Sequence, residues 1–89
     1  MQVQILYGSS VTSKEQLHAL LAERLTFPSY YGHNLDALHD CLCELSQPTQ
    51  LIICERDILC DNLGSYGSQF LRVLQDSADE NELLRIEYR

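Results

Sequence analysis

The 89-residue chain predicts an α/β fold in which three parallel strands alternate with about four helices in the order β-α-α-β-α-α-β. Three observations predict it. The two ends, Gln2-Val3-Gln4-Ile5-Leu6-Tyr7 and Leu84-Arg85-Ile86-Glu87-Tyr88, alternate polar and apolar residues with the period of a strand. Gln50-Leu51-Ile52-Ile53-Cys54-Glu55 is an apolar run of strand length, as expected of a strand covered on both sides or paired along both edges, and is the candidate for the middle of the sheet. The intervals between these strands are close to thirty residues or longer and carry helical periodicity, so the links are crossovers and the strands parallel, with right-handed connections.

Taken in order, the first strand stops at Gly8, and Ser9 to Thr12 read as a loop. Ser13-Lys14-Glu15-Gln16 is a capping-box pattern, followed by Leu17, Leu20, Leu21 and Leu25 at helical spacing until Pro28 forbids continuation. His18 falls beside this stripe with no second ligand or nucleophile in the sequence around it, and reads as a surface or half-buried histidine. Gly32 breaks the chain, and Asn34 is a favoured N-cap whose side-chain oxygen can accept from a first-turn amide. At about 100° per residue the following helix gathers Leu35, Leu38, Leu42 and Leu45 inward with Cys41 at the margin, and turns Asp36, His39, Asp40 and Cys43 outward with Glu44 flanking them. It runs out by Gln47-Pro48.

After the middle strand, Asp57 to Leu63 read as a short helix or turn, which Gly64-Ser65-Tyr66-Gly67 interrupts with two glycines. From Ser68, helical period resumes with Phe70, Leu71, Leu74 and Ala78 inward, Val73 at the edge, and Arg72, Gln75, Asp76 and Asp79 in solvent; Asn81 closes the helix before the last strand. No repeat, linker or low-complexity stretch divides residues 1–89, which read as one domain.

The outer face of the second helix carries the functional signal. Asp36 in the first turn suits the helix dipole. Asp36 with Asp40 and Asp40 with Glu44 are like-charge pairs four residues apart, each costing about 0.2–0.5 kcal/mol in an exposed helix. No Lys or Arg occurs between Arg24 and Arg56, while Asp36, Asp40, Glu44 and Glu55 all fall there. A solvated face ordinarily mixes signs; an unrelieved acidic one suits docking to a basic partner, because complementary potentials steer association.

Pro28 through Leu42, Pro-Ser-Tyr-Tyr-Gly-His-Asn-Leu-Asp-Ala-Leu-His-Asp-Cys-Leu, closely resembles the signature of the barstar family, intracellular inhibitors of barnase-type ribonucleases. The resemblance extends more weakly over the whole chain, in length, element order and acidity. It implies a two-layer fold, a three-stranded parallel sheet in the order 1-2-3 with helices packed against it. It also implies inhibition by occupying a nuclease active site: in that family the helix and preceding loop enter the cleft for RNA phosphates, and carboxylates meet the enzyme's Arg, Lys and His groups. Carried over by position, Tyr30, Asn34, Asp36 and Asp40 are contact residues, Asp40 being the central phosphate mimic, and Asp76 on the last long helix becomes a secondary contact. Tyr30 is then the exposed tyrosine and Tyr31 the structural one. The sequence departs from the family pattern at His39, where an aromatic anchor is replaced, and at His33, where an acid is replaced. With the remaining outward residues of the helix, the candidate binding set is Tyr30, Asn34, Asp36, His39, Asp40, Cys43, Glu44 and Asp76. The implied partner is a basic extracellular-type ribonuclease or related toxin in a 1:1 complex; the alternative is an interaction or immunity module of the same fold for a different basic protein.

Composition agrees. A hydrophobic share of 45% suits a folded domain, and a net charge of −7 repels nucleic acid and anionic membranes while suiting a basic protein target. Without a membrane-length apolar run or a signal-like N-terminus, a cytoplasmic protein with reduced cysteines is expected. Cys41 and Cys54 read as small core residues, Cys43 and Cys60 as exposed or half exposed, and an exposed Cys43 would make docking sensitive to oxidation. Catalysis is not expected, since His39, Asp40 and a cysteine on one convex face have no pocket or oxyanion donors. No phosphate-binding glycine motif or cofactor site is present in the sequence. His39 and Cys43 have the i,i+4 spacing of a two-ligand metal seat, but two ligands do not make a structural zinc site.

Overall fold

The computed structural model describes residues 1–89. Strand β1 (Gln2–Tyr7) leads through a 3-10 turn (Gly8–Ser10) to helix α1 (Lys14–Leu25) and helix α2 (Leu35–Cys43). Strand β2 (Thr49–Cys54), helices α3 (Arg56–Leu63) and α4 (Ser65–Glu80), and strand β3 (Leu84–Tyr88) complete the chain. The strands pair in parallel in the order β1-β2-β3, with Ile5 opposite Ile52 and Leu51 opposite Ile86. The apolar run of β2 therefore lies in the centre, its backbone paired along both edges.

Two local predictions are met with a twist in each. Ser13 caps α1 by accepting from the Gln16 amide at 3.1 Å, but Gln16 reaches past the cap, its Oε1 accepting from both the backbone N–H and the hydroxyl of Thr12. The residues expected to be a loop after β1 tighten into a 3-10 turn because Gly8 packs directly on the start of α3; a Cβ there would lie 2.1 Å from the Glu55 carbonyl oxygen. The expected break at Gly64 to Gly67 is shorter than predicted. Only Gly64, at φ 61°, separates α3 from α4, and Gly67 lies inside α4. There the missing side chain lets the two helices touch, since a Cβ would meet the Cys60 Cα at 3.0 Å.

The core lies between the helices and one face of the sheet: Leu6, Leu51, Ile53 and Leu84 from the strands meet Leu17, Leu21, Leu38, Leu42, Phe70 and Leu74 from the helices. In β1 the alternation is inverted relative to a simple amphipathic strand. Gln2 and Gln4 are half-buried while Val3 and Tyr7 are exposed, and Gln2 is accommodated by donating from Nε2 to the Arg24 carbonyl at 3.0 Å. His18 is also corrected. It is fully buried rather than superficial, because the phenols of Tyr31 and Tyr66 satisfy its two ring nitrogens at 2.6 Å each. All four cysteines are free and half-buried, so Cys41 and Cys54 are less enclosed than expected of core residues.

Candidate functional site

Helix α2 projects the acidic face and is held by what it buries. Asn34 accepts from the Ala37 amide at 2.8 Å, and its Nδ2 donates to the Gly32 carbonyl at 3.2 Å, so one side chain both starts the helix and closes the turn before it. His33 between them takes a left-handed conformation, φ 52°. Leu38 and Leu42 are completely buried, each contributing about 1.5–3 kcal/mol; this outweighs the repulsion of the two like-charge pairs on the other side. At the carboxyl end, Asn81 from beyond α4 donates from Nδ2 to the carbonyls of Leu42 (3.0 Å) and Leu45 (3.1 Å) while its Oδ1 accepts from the Leu83 amide. The helix lacks a basic residue in its last turn, and this amide supplies the missing donors.

The loop ahead of α2 is fixed by Tyr31, buried under it with its ring 4.8 Å from Phe27 and its hydroxyl on His18. Tyr30, its neighbour, is 81% exposed. The two tyrosines thus divide as expected, one structural and one facing solvent.

The sequence-predicted residues separate into three groups. Tyr30, Asp40 and Glu44 line one shallow groove of about 190 Å³ between the loop and α2. Asn34 and Asp36 lie at the mouth of a larger cleft of about 450 Å³, shared with His33, Lys14, Tyr66 and Gln69. His39 and Cys43 turn sideways toward α4, where His39 Nε2 lies 2.7 Å from Glu80 Oε2 and the Cys43 thiol donates to the same oxygen at 3.2 Å. Asp76 stands exposed on α4, without an ion-pair partner. Glu55, counted with the acidic stretch in the sequence, does not belong to this face. It accepts from the Ser9 amide and hydroxyl, which hold its carboxyl below the usual range, and it shares a hollow with Arg56 and Arg89.

The charge on the face is uncompensated from within. The Asp40 side chain is 79% exposed, and the one basic group within ion-pair reach is His39 Nδ1 at 3.9 Å. None of the six Lys and Arg side chains pairs with Asp36, Asp40, Glu44 or Asp76. The face offers carboxylate acceptors, an exposed phenol and a shallow relief, which fits recognition of cationic groups on a protein better than enclosure of a small molecule.

Cys43 is half-buried, and burial first, then the hydrogen bond and charge of Glu80, push its thiol up to about 11. Glu80 brings a carboxylate against both His39 and Cys43, a third metal-ligand type beside the pair that the spacing on α2 gives. Glu80 and Ser77 are residues that sequence reasoning missed, as is the second role of Asn81, which ends α4 as expected but also meets the end of α2. Ser77 is completely buried; its hydroxyl lies close enough to the Cys43 sulfur to favour the thiolate, yet outside hydrogen-bonding geometry, so that Oγ has no partner. No sequence signal marks these three, because the α2 to α4 approach spans nearly forty residues.

Comparison with known proteins agrees with this architecture. The chain is 39% identical over 77 residues, 85% of either protein, to the Bacillus subtilis (strain 168) protein named "Putative ribonuclease inhibitor YrdF". The family model described as Barstar (barnase inhibitor) matches residues 1–89. With the three-stranded parallel sheet in the order 1-2-3, four helices and this match over the full length, the chain belongs to the barstar family.

Proposed function

We propose that the chain is a protein inhibitor of a basic, barnase-like ribonuclease, acting in the cytoplasm as a one-to-one plug of the catalytic cleft and thereby neutralising a toxic activity. It performs no chemistry itself. The observation that carries this reading is Asp40, a carboxylate standing in solvent at the middle of α2 with no Lys or Arg of its own chain paired to it. In this reading Asp40 takes the place of an RNA phosphate among the enzyme's Arg, Lys and His groups. Asp36 and Glu44 extend the negative potential to either side, and Asp76 adds to it from α4. Tyr30 lays its exposed ring and hydroxyl against the partner, Asn34 sets the shape of the loop, and His39 and Cys43 form the flank where the family's aromatic anchor is absent.

The test is inhibition of a barnase-like ribonuclease by the purified chain. Wild type blocks RNA cleavage with one-to-one stoichiometry, and Asp40→Ala, folded by circular dichroism, requires about 10- to 100-fold more protein, the scale of a lost hydrogen bond to a charged group. Association slows as salt rises, because exposed charges are screened. Folded wild type that leaves the nuclease untouched overturns the assignment of target. The substitution at His39 on the flank of the face favours one second reading, in which the same surface serves as an immunity module for a different basic toxin. Capture of a non-nuclease basic protein that Asp40→Ala fails to retain would select it.

A further inference from the structure

We propose that His39, Cys43 and Glu80 form a binding site for a single zinc ion at the junction of α2 and α4. The three side chains supply an imidazole nitrogen, a sulfur and a carboxylate oxygen, the donor types that zinc accepts together, and their ligand atoms lie within 4.8 Å of one another. Zinc bound tetrahedrally at ordinary bond lengths separates its ligand atoms by about 3.3–3.6 Å. Here His39 Nε2 and Cys43 Sγ are 3.7 Å apart, Cys43 Sγ and Glu80 Oε2 3.2 Å, and His39 Nε2 and Glu80 Oε2 2.7 Å. Two separations are within half an ångström of the metal-bound values, and the third opens by a little more when the proton between nitrogen and oxygen gives way to a cation. The ligands are also preset: His39 and Cys43 are one turn apart on a helix fixed by Leu38 and Leu42, and Glu80 ends a helix fixed by Phe70 and Leu74.

Two neighbours supply the outer contacts that such sites use. Ser77 Oγ, completely buried and without a partner, sits beside the sulfur, where it would donate a hydrogen bond to a zinc-bound thiolate. Asp40 Oδ1 lies 3.9 Å from His39 Nδ1, on the far side of the ring from the ligands, as in carboxylate–histidine–metal arrangements. On binding, the Cys43 thiol loses its proton to solvent, and the sulfur lone pair forms the bond to zinc. The ring proton of neutral His39 passes from Nε2 to Nδ1, which turns Nε2 to the metal and a donor toward Asp40. Glu80 exchanges two accepted hydrogen bonds for a metal bond. The fourth position faces solvent, since His39 and Glu80 are both partly exposed, and takes a water molecule.

The experiment uses the whole chain kept reduced with a phosphine, titrated with zinc chloride by calorimetry and with cobalt(II) chloride by absorption. One-to-one uptake is expected, with a sulfur-to-cobalt charge-transfer band and a rise in Tm on adding zinc. The band disappears in Cys43→Ser and in His39→Ala, both folded by circular dichroism, while Glu80→Gln weakens binding by at least tenfold and Asp40→Asn by about tenfold. His39→Ala removes a half-exposed side chain, so it reports on binding even if replacement of Cys43 disturbs packing. Absence of uptake, or a band that persists without Cys43 or without His39, overturns the proposal. Because zinc uptake is measured on the isolated chain, its failure is distinct from a failure to inhibit a nuclease.

Discussion

His18 and His39 both bridge elements distant in sequence, but their surroundings are opposite. His18 is sealed, completely buried, and bonded on both ring nitrogens to neutral phenols. His39 is open, and its neighbours are two carboxylates and a thiol. A ring that is enclosed and matched on both sides by neutral partners has no vacancy for a ligand and serves the fold. A ring that shares an acceptor with a second donor at the surface can exchange its hydrogen bonds for another partner. Residue type is the same in both places; enclosure and the charge of the neighbours decide the role.

The comparison is broken most directly at His18. His18→Ala leaves a cavity and two phenols without their partner, and is expected to lower stability by about 2–4 kcal/mol, seen as a fall in the urea midpoint with an unchanged slope. If the loss were below about 1 kcal/mol, the sealed cluster would not be what fixes the Tyr31 loop. Asn81→Ala, which removes the donors from the Leu42 and Leu45 carbonyls, is expected to cost about 1–2 kcal/mol. Faster amide exchange at the carboxyl end of α2 than elsewhere in the helix would localise that loss.

A pH titration sharpens the contrast further. Burial first, and the nearby charge of His33 second, hold His18 below its ordinary value of 6.5, with Glu15 opposing them. The unfolded chain therefore takes up this proton more readily than the folded one. Stability from this group is complete above pH 6.5 and declines as pH falls from there toward the lowered folded value. Chemical denaturation at several pH values between 5 and 8 should show this decline in wild type and a shallower one in His18→Gln. Equal slopes in the two proteins would contradict it. The smallest effect is expected at the open histidine: His39→Ala, without metal, should change stability by no more than about 0.5 kcal/mol, as for other partly exposed polar pairs.

The same division separates what periodicity could reveal from what it could not. Leu38 and Leu42 and the Asn34 cap were legible because they obey rules internal to one helix, and the middle strand was legible because β2 is paired on both edges. Gly67 was misread as a break because a glycine that ends a helix and a glycine that lets a second helix approach look alike in sequence. His18 was misread because the hydroxyls that make its burial tolerable come from positions 31 and 66. The outward set on α2 was read as one face, whereas packing against α4 divides it. Asp40 and Glu44 remain in solvent beside Tyr30, and His39 and Cys43 are drawn aside to Glu80.

The order of elements, the parallel sheet and the acidity of α2 follow from the sequence by itself, because spacing, capping and charge act over a few residues and do not depend on neighbours elsewhere in the chain. Which polar side chains are sealed, which stand free and which meet across helices was decided only in the tertiary structure. Hydrogen bonds and metal-ligand distances require atoms to converge within about 3–4 Å, and such convergence between residues up to fifty-four positions apart is set by how the helices pack on the sheet.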